Sequence, residues 1–197
     1  MNNVIVITRQ FGSLGRYIAR IVSHQMGYEY YDRNSIDQYV KWKNEGFRIE
    51  NPQSGMSEYE KMAHPLGSGS LSTQEKLFDM EKEVILSLSE KGNAVIVGRC
   101  ADYILKEYGT CNVFSVFIYA PVIKRYYFGV NNFGITKEAV MNYIEKVDKA
   151  RELYYKRHTG ESFISIRYRD LMIDSSCGSL NDIADMICYC AKKKFDQ

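Results

Sequence analysis

Short apolar runs rich in β-branched residues recur along this chain, each followed by a segment of helical spacing, and that alternation leaves few folds open. Val4-Ile5-Val6-Ile7 shows no polar alternation, the mark of a strand buried on both faces, as in a parallel sheet. Residues 93–97 read the same way, residues 113–119 give the clearest strand, and residues 28–31 and 171–173 complete five. Between them, Ile18, Ile21, Val22 and Met26 recur at helical spacing, with Gly27 at the expected C-cap. Residues 34–44 form a weakly patterned helix, and Leu77, Phe78, Val84, Ile85 and Leu88 mark a strong amphipathic one. A short helix carries Ile104 and Leu105, and Pro121 suits the first turn of the next. Thr136 is the expected cap of a long helix through Val140, Tyr143, Ile144, Val147 and Leu153. Ser179 and Asp182 have the spacing of a capping box for a final helix. Strands alternating with helices predict an α/β fold with a mainly parallel sheet covered on both faces.

At 197 residues the chain is expected to be one domain, 1–197, with a mobile segment at 51–72, where Pro52, Gly55, Pro65, Gly67 and Gly69 cluster. The 26 basic and 24 acidic residues nearly cancel, which excludes the broad basic field of a dedicated nucleic-acid-binding domain but not a local cationic pocket. No apolar run is long enough to span a membrane, and the N-terminus lacks the basic flank of a signal peptide, so a cytoplasmic protein with no membrane partner is expected. The five cysteines include no Cys-x-x-Cys pair and the three histidines have no ligand-like spacing, so reduced thiols and no metal-binding cluster are expected.

In doubly covered parallel sheets, ligands bind beyond the carboxyl ends of the strands. Three of those ends carry arginine: Arg9 and Arg16 around the first turn, Arg33 after the second strand and Arg99 after the third. Guanidinium forks suit phosphate oxygens, and a Gly/Ser turn opening a helix adds backbone N–H groups and a positive dipole end. The composite is an anion site, most naturally for phosphate. Blander readings hold elsewhere. Tyr154, Tyr155 and Tyr168 read first as packing, Lys192–Lys194 as a solvated helix end, and Ser175-Ser176-Cys177 as a strand-end turn. His64 has no catalytic setting, and Asp148 and Arg151, three apart, have the spacing of an intrahelical ion pair.

Several segments resemble the signatures of the cytidylate kinase-like family of P-loop proteins: 7–19, Gly27-Tyr28 with Tyr31-Asp32-Arg33, 97–105, 116–121, 147–155 and 168–176. The resemblance spans nearly the whole chain in order. It implies a three-layer P-loop NTPase fold of the nucleoside monophosphate kinase type, built on a five-stranded parallel sheet. It also implies phosphoryl transfer from ATP to a (d)CMP-like or other phosphorylated small molecule, with a lid near residues 155–166. Gly12, Ser13, Leu14, Gly15, Arg16 and Tyr17 fall on the phosphate- and nucleotide-binding loop. Asp32, Arg33, Arg99, Asp102 and Asp148 fall on acceptor-binding positions, and Arg16, Arg99, Arg151 and Arg157 on catalytic ones. The loop departs from Gly-x-x-x-x-Gly-Lys-[Ser/Thr], with Gln10, Arg16 and Tyr17 at the first Gly, the Lys and the hydroxyl position. Val97 stands where an aspartate often precedes Gly-Arg. The usual protein ligands of Mg²⁺ are therefore missing. A non-catalytic nucleotide sensor and a metal-independent group transferase are the competing expectations. Neither the acceptor nor the oligomeric state is legible in the sequence.

Overall fold

The computed structural model describes residues 1–43 and 71–196. Five strands, β1 (Asn3–Arg9), β2 (Glu29–Tyr31), β3 (Ala94–Val97), β4 (Asn112–Tyr119) and β5 (Leu171–Asp174), form one sheet in the order β2-β3-β1-β4-β5. Every pairing is parallel, with Val4 opposite Ala94 on one side and Val113 on the other. The helices among the described residues are α1 (Gly15–Met26), α2 (Arg33–Lys43), α3 (Leu71–Lys91), α4 (Ala101–Tyr108), α5 (Val122–Phe133), α6 (Val140–Thr159) and α7 (Leu180–Phe195). The segment expected to be mobile, 51–72, lies outside the described residues as far as residue 70. Leu71 and Ser72 already belong to α3.

The unbroken apolar runs follow from burial on both faces. Val4 and Val6 of β1 pack into one core with Ala94 and Ile96 and residues of α2, α3 and α4. Ile5 and Ile7 point the other way, into a core with Val95, Val97 and the inner faces of α1 and α7. Alternate side chains thus feed two separate cores, and the molecule has three layers. Each fully buried Ile or Val contributes roughly 1.5–3 kcal/mol relative to exposure, so the central strands hold the sheet. A third, smaller cluster joins Phe11 to Ile135, Val140, Ile144 and Val147, and it ties the turn after β1 to α6.

Helix ends follow local chemistry. Gly27 caps α1 at φ 65°, and Ser179 and Asp182 form the reciprocal capping box of α7, at 3.2 and 2.8 Å. Pro121 stands immediately before α5. Thr136 is not the cap of α6. A turn intervenes, in which the Thr136 carbonyl accepts from Ala139 and Val140, and the helix starts at Val140 without a side-chain cap. No helix among the described residues is long and apolar enough to cross a membrane. All five cysteines are free thiols.

Candidate anion-binding site

β1 ends against β4, where the Gln10 amide donates to the Ile118 carbonyl at 3.0 Å, and the chain then turns sharply into α1. The turn needs its glycines. Gly12 has φ +75°, and a Cβ there would meet the Arg125 backbone at 3.0 Å; a Cβ on Gly15 would lie 2.7 Å from that of Arg9. Leu14 also adopts a left-handed conformation, φ 61°. Ser13 is fully buried and its hydroxyl donates inward, toward the carbonyls of Gln10 and Ile118. The backbone amides of residues 12–16 donate to no acceptor among the described residues. Five consecutive free N–H groups at a helix start are an anion-binding arrangement.

The turn is held from beneath. Asp148 on α6 accepts the Phe11 amide at 2.9 Å and pairs with Arg125 on α5. Arg125 in turn donates Nε–H to the Phe11 carbonyl at 2.6 Å. Arg151 donates to the Arg9 carbonyl at 3.0 Å and lies 3.8 Å from Asp148. Phe11 itself packs between Phe133 and Tyr143.

A cavity of about 140 Å³ opens above this turn, lined by residues 9–12 and 14–17, by Arg33 and Arg151, and by Phe128 and Phe133. Four arginines (Arg9, Arg16, Arg33 and Arg151) face it, and among the described residues no acidic one lines it. Arg16 reaches Asp32 at 3.0 Å, and Arg33 lies 3.6 Å from Asp37. Arg9 has no carboxylate partner among the described residues. Burial, then the neighbouring Arg151 and Arg16, push the Arg9 pKa well down. A guanidinium keeps its proton in proteins, so that direction reports a positive charge short of a counter-ion. Burial also lowers Arg151 and, together with Arg99, Arg33. Asp32 is fully engaged. It caps α2 through the amides of Asn34 and Ser35 and takes Arg16. Burial pushes its carboxyl up, but Arg16 and those amides outweigh this and leave it below its ordinary value.

The other expected site residues lie elsewhere. Arg99 follows β3 in a run of three left-handed residues, Gly98, Arg99 and Cys100, at φ 78°, 59° and 53°. Two of these are not glycine, at a cost of about 1–2 kcal/mol each. The strained turn drives the Arg99 side chain into a buried ion-pair cluster, 2.7 Å from Glu81 of α3 and 2.5 Å from Asp37 of α2. Glu81 is completely buried and also accepts from Tyr154 at 3.0 Å. Burial, only partly offset by Arg99, pushes its carboxyl up to about 7. Asp102 is buried against Arg169, accepts from Tyr155 at 3.0 Å, and is not among the described residues lining the cavity. Arg157 is exposed and pairs with Gln74. In the region expected to be a lid, Tyr155 and Phe163 pack on each other and are buried. Tyr154, Tyr155 and Tyr168 each bond a carboxylate, so they serve packing as read from the sequence. Arg125, Asp37 and Glu81 were not singled out by the sequence reading. Each sits on a helix with no motif, and each pairs with a residue of another element, Asp37 and Glu81 with Arg99 and Arg125 with Asp148.

The turn after the first strand, the left-handed Gly98–Cys100 corner and the sheet order stand together along most of the chain, and residues 4–177 match the model of the cytidylate kinase-like family. The chain belongs to that family. No curated protein matches its sequence. Among solved structures, an uncharacterized protein from Eubacterium ventriosum superposes with a TM-score of 0.72 at 21% identity, covering 96% of this chain and 98% of that one. A gluconokinase from Sinorhizobium meliloti gives 0.57 at 11% identity, with 98% and 93% covered. Shikimate kinase from Acinetobacter baumannii in complex with shikimate gives 0.54 at 14%, with 98% and 94% covered. These likenesses establish a shared three-layer α/β fold.

The cytidylate kinase-like resemblance brings Mg²⁺ into question, and the residues of this member do not fit a protein-held ion. Tyr17, at the hydroxyl position, is half exposed and lies edge-on to Phe128. Val97, at the carboxylate position, is buried among apolar side chains. Asp32, which follows β2, is taken by Arg16 and the start of α2. No cluster of three or more His, Cys, Asp or Glu side chains forms among the described residues. Among the described residues, a divalent cation placed in the cavity would meet four guanidiniums and no carboxylate.

Proposed function

We propose that the protein is a nucleotide-dependent phosphotransferase whose donor polyphosphate lies over residues 12–16. One observation carries this reading: five backbone amides and four arginines converge on a single cavity, and among the described residues the amides have no acceptor and Arg9 no carboxylate partner. Phe128, Phe133 and Tyr17 supply an apolar wall beside it, suited to the flat face of a base. ATP is the donor that the family resemblance favours, and a phosphorylated small molecule of (d)CMP type the acceptor. Arg33 and Arg151 would position the transferred group, with Arg16 neutralising developing charge.

A second reading, a nucleotide sensor without turnover, has its own support. Arg99, the expected acceptor-phosphate ligand, is held by Glu81 and Asp37. An acceptor phosphate would have to replace Asp37, the more exposed of the two carboxylates. Measuring ADP formation across a panel of nucleoside monophosphates separates these readings. The kinase reading expects turnover on at least one acceptor, rising in Asp37→Asn, where Arg99 is held less tightly. ATP binding with no ADP formation on any acceptor, in wild type and in the variant, would leave the sensor.

A further inference from the structure

Arg9 lies under the turn, lines the cavity, and has no carboxylate partner among the described residues. Around it, among the described residues, Arg16 pairs with Asp32, Arg99 with Asp37 and Glu81, and Arg125 with Asp148, which Arg151 approaches at 3.8 Å. Positive charge faces the cavity from Arg9, Arg16, Arg33 and Arg151, whereas Asp148 and Glu81 are engaged with Arg125 and Arg99 and are not among its described lining residues. Both positions where an oxygen ligand for a metal is expected carry other chemistry, an aromatic ring at Tyr17 and an isopropyl group at Val97. Asp32 has no oxygen to spare.

From this geometry we infer that the cavity takes a polyphosphate in its metal-free form, with Arg9, Arg16, Arg33 and Arg151 supplying the neutralising charge. The inference rests on the polyphosphate reading above and specifies the ionic form of the ligand. Two physical arguments favour that form. Guanidinium groups donate paired hydrogen bonds to phosphate oxygens and need no coordination shell. A metal-bound polyphosphate carries two fewer negative charges, and its metal would sit among four cations in a site of reduced dielectric. Burial of the Arg9 and Arg151 guanidiniums, which lowers both pKa values, agrees, since an anion beside them would offset that cost.

Calorimetric titration of the full chain with inorganic tripolyphosphate, and separately with ATP, tests this in chelator and in excess Mg²⁺. Binding in chelator at least as tight as in Mg²⁺ is expected for both probes. Arg9→Gln should weaken it by about tenfold or more, the usual loss for a charge-assisted hydrogen bond. Arg16→Gln, on the first turn of α1, gives the same readout should Arg9→Gln fold poorly. Arg167→Gln, which removes an exposed charge paired with Glu161 away from the cavity, should change nothing. Tightening by Mg²⁺ of more than about tenfold would overturn the metal-free form while leaving the polyphosphate site standing. No binding of either probe under either condition would overturn the site itself. Loss in Arg167→Gln equal to that in Arg9→Gln would reduce the effect to net charge and also overturn the inference.

Discussion

Both carboxylate oxygens of Asp148 act on the turn after β1, one accepting the Phe11 amide and the other pairing with Arg125, which itself donates to the Phe11 carbonyl. Asp148 therefore shapes the binding loop through its backbone, and acceptor contact is not needed to explain its position. Removing one partner leaves Arg125 buried and unpaired. Asp148→Ala should cost about 3 kcal/mol, read as a Tm lower by roughly 6–12 °C for a chain of this size. Arg125→Met combined with Asp148→Leu should recover part of that loss, because neither charge then remains buried alone. Equal destabilisation in the single and double variants would argue that packing at Phe11, and not the ion pair, holds the turn. Arg125 was invisible as a site residue because nothing within α5 distinguishes it from an exposed helical arginine. Its role depends on Asp148, which lies on a different helix.

At the scale of elements, α6 is the member that joins the cavity to the far side of the molecule. Its middle turns carry Asp148 and Arg151. Its second half packs on α3, where the His158 ring stacks on Phe78 at 3.9 Å and 7°. Burial, then the neighbouring Arg157, lowers the His158 pKa to about 4. A base whose folded pKa is depressed stabilises the fold fully above its unfolded value and loses that contribution as pH falls through the folded value. The window here runs from about 6.5 down to about 4. With the ring half exposed, solvent screening reduces the contribution to about 1–2 kcal/mol. Thermal melts between neutral pH and pH ~4 should fall more steeply for wild type than for His158→Gln, and parallel curves would show that other groups dominate the acid limb. Elements were legible where burial was two-sided or a cap was local. Val4–Ile7, Gly27 and the Ser179–Asp182 box all took the places their residues predict. Thr136 did not, because a short turn after it satisfies backbone groups that a cap would otherwise serve.

Across the whole molecule, parallel strands bring the ends of β1, β2 and β3 to one edge, and this is why arginines distant in the chain meet. The convergence of Arg9, Arg16 and Arg33 on one cavity was foreseeable from strand order and the carboxyl-end rule. The fate of Arg99 was not. Its pairing with Asp37 and Glu81 depends on how α2 and α3 pack, and α2 has the weaker apolar pattern of the two. The left-handed Gly98–Cys100 corner that turns Arg99 inward is likewise a conformation that the letters alone do not announce. Asp102 and Arg157 stand away from the cavity for the same reason, each held by a partner from another element. A crystal of the protein soaked in tripolyphosphate tests the central claim most directly. The account predicts phosphate oxygens bonded to the backbone amides of residues 12–16 and to the guanidiniums of Arg9, Arg16 and Arg151. Phosphate found only at Arg99 or on the outer surface, with the amides of the turn paired to protein carbonyls, would contradict it.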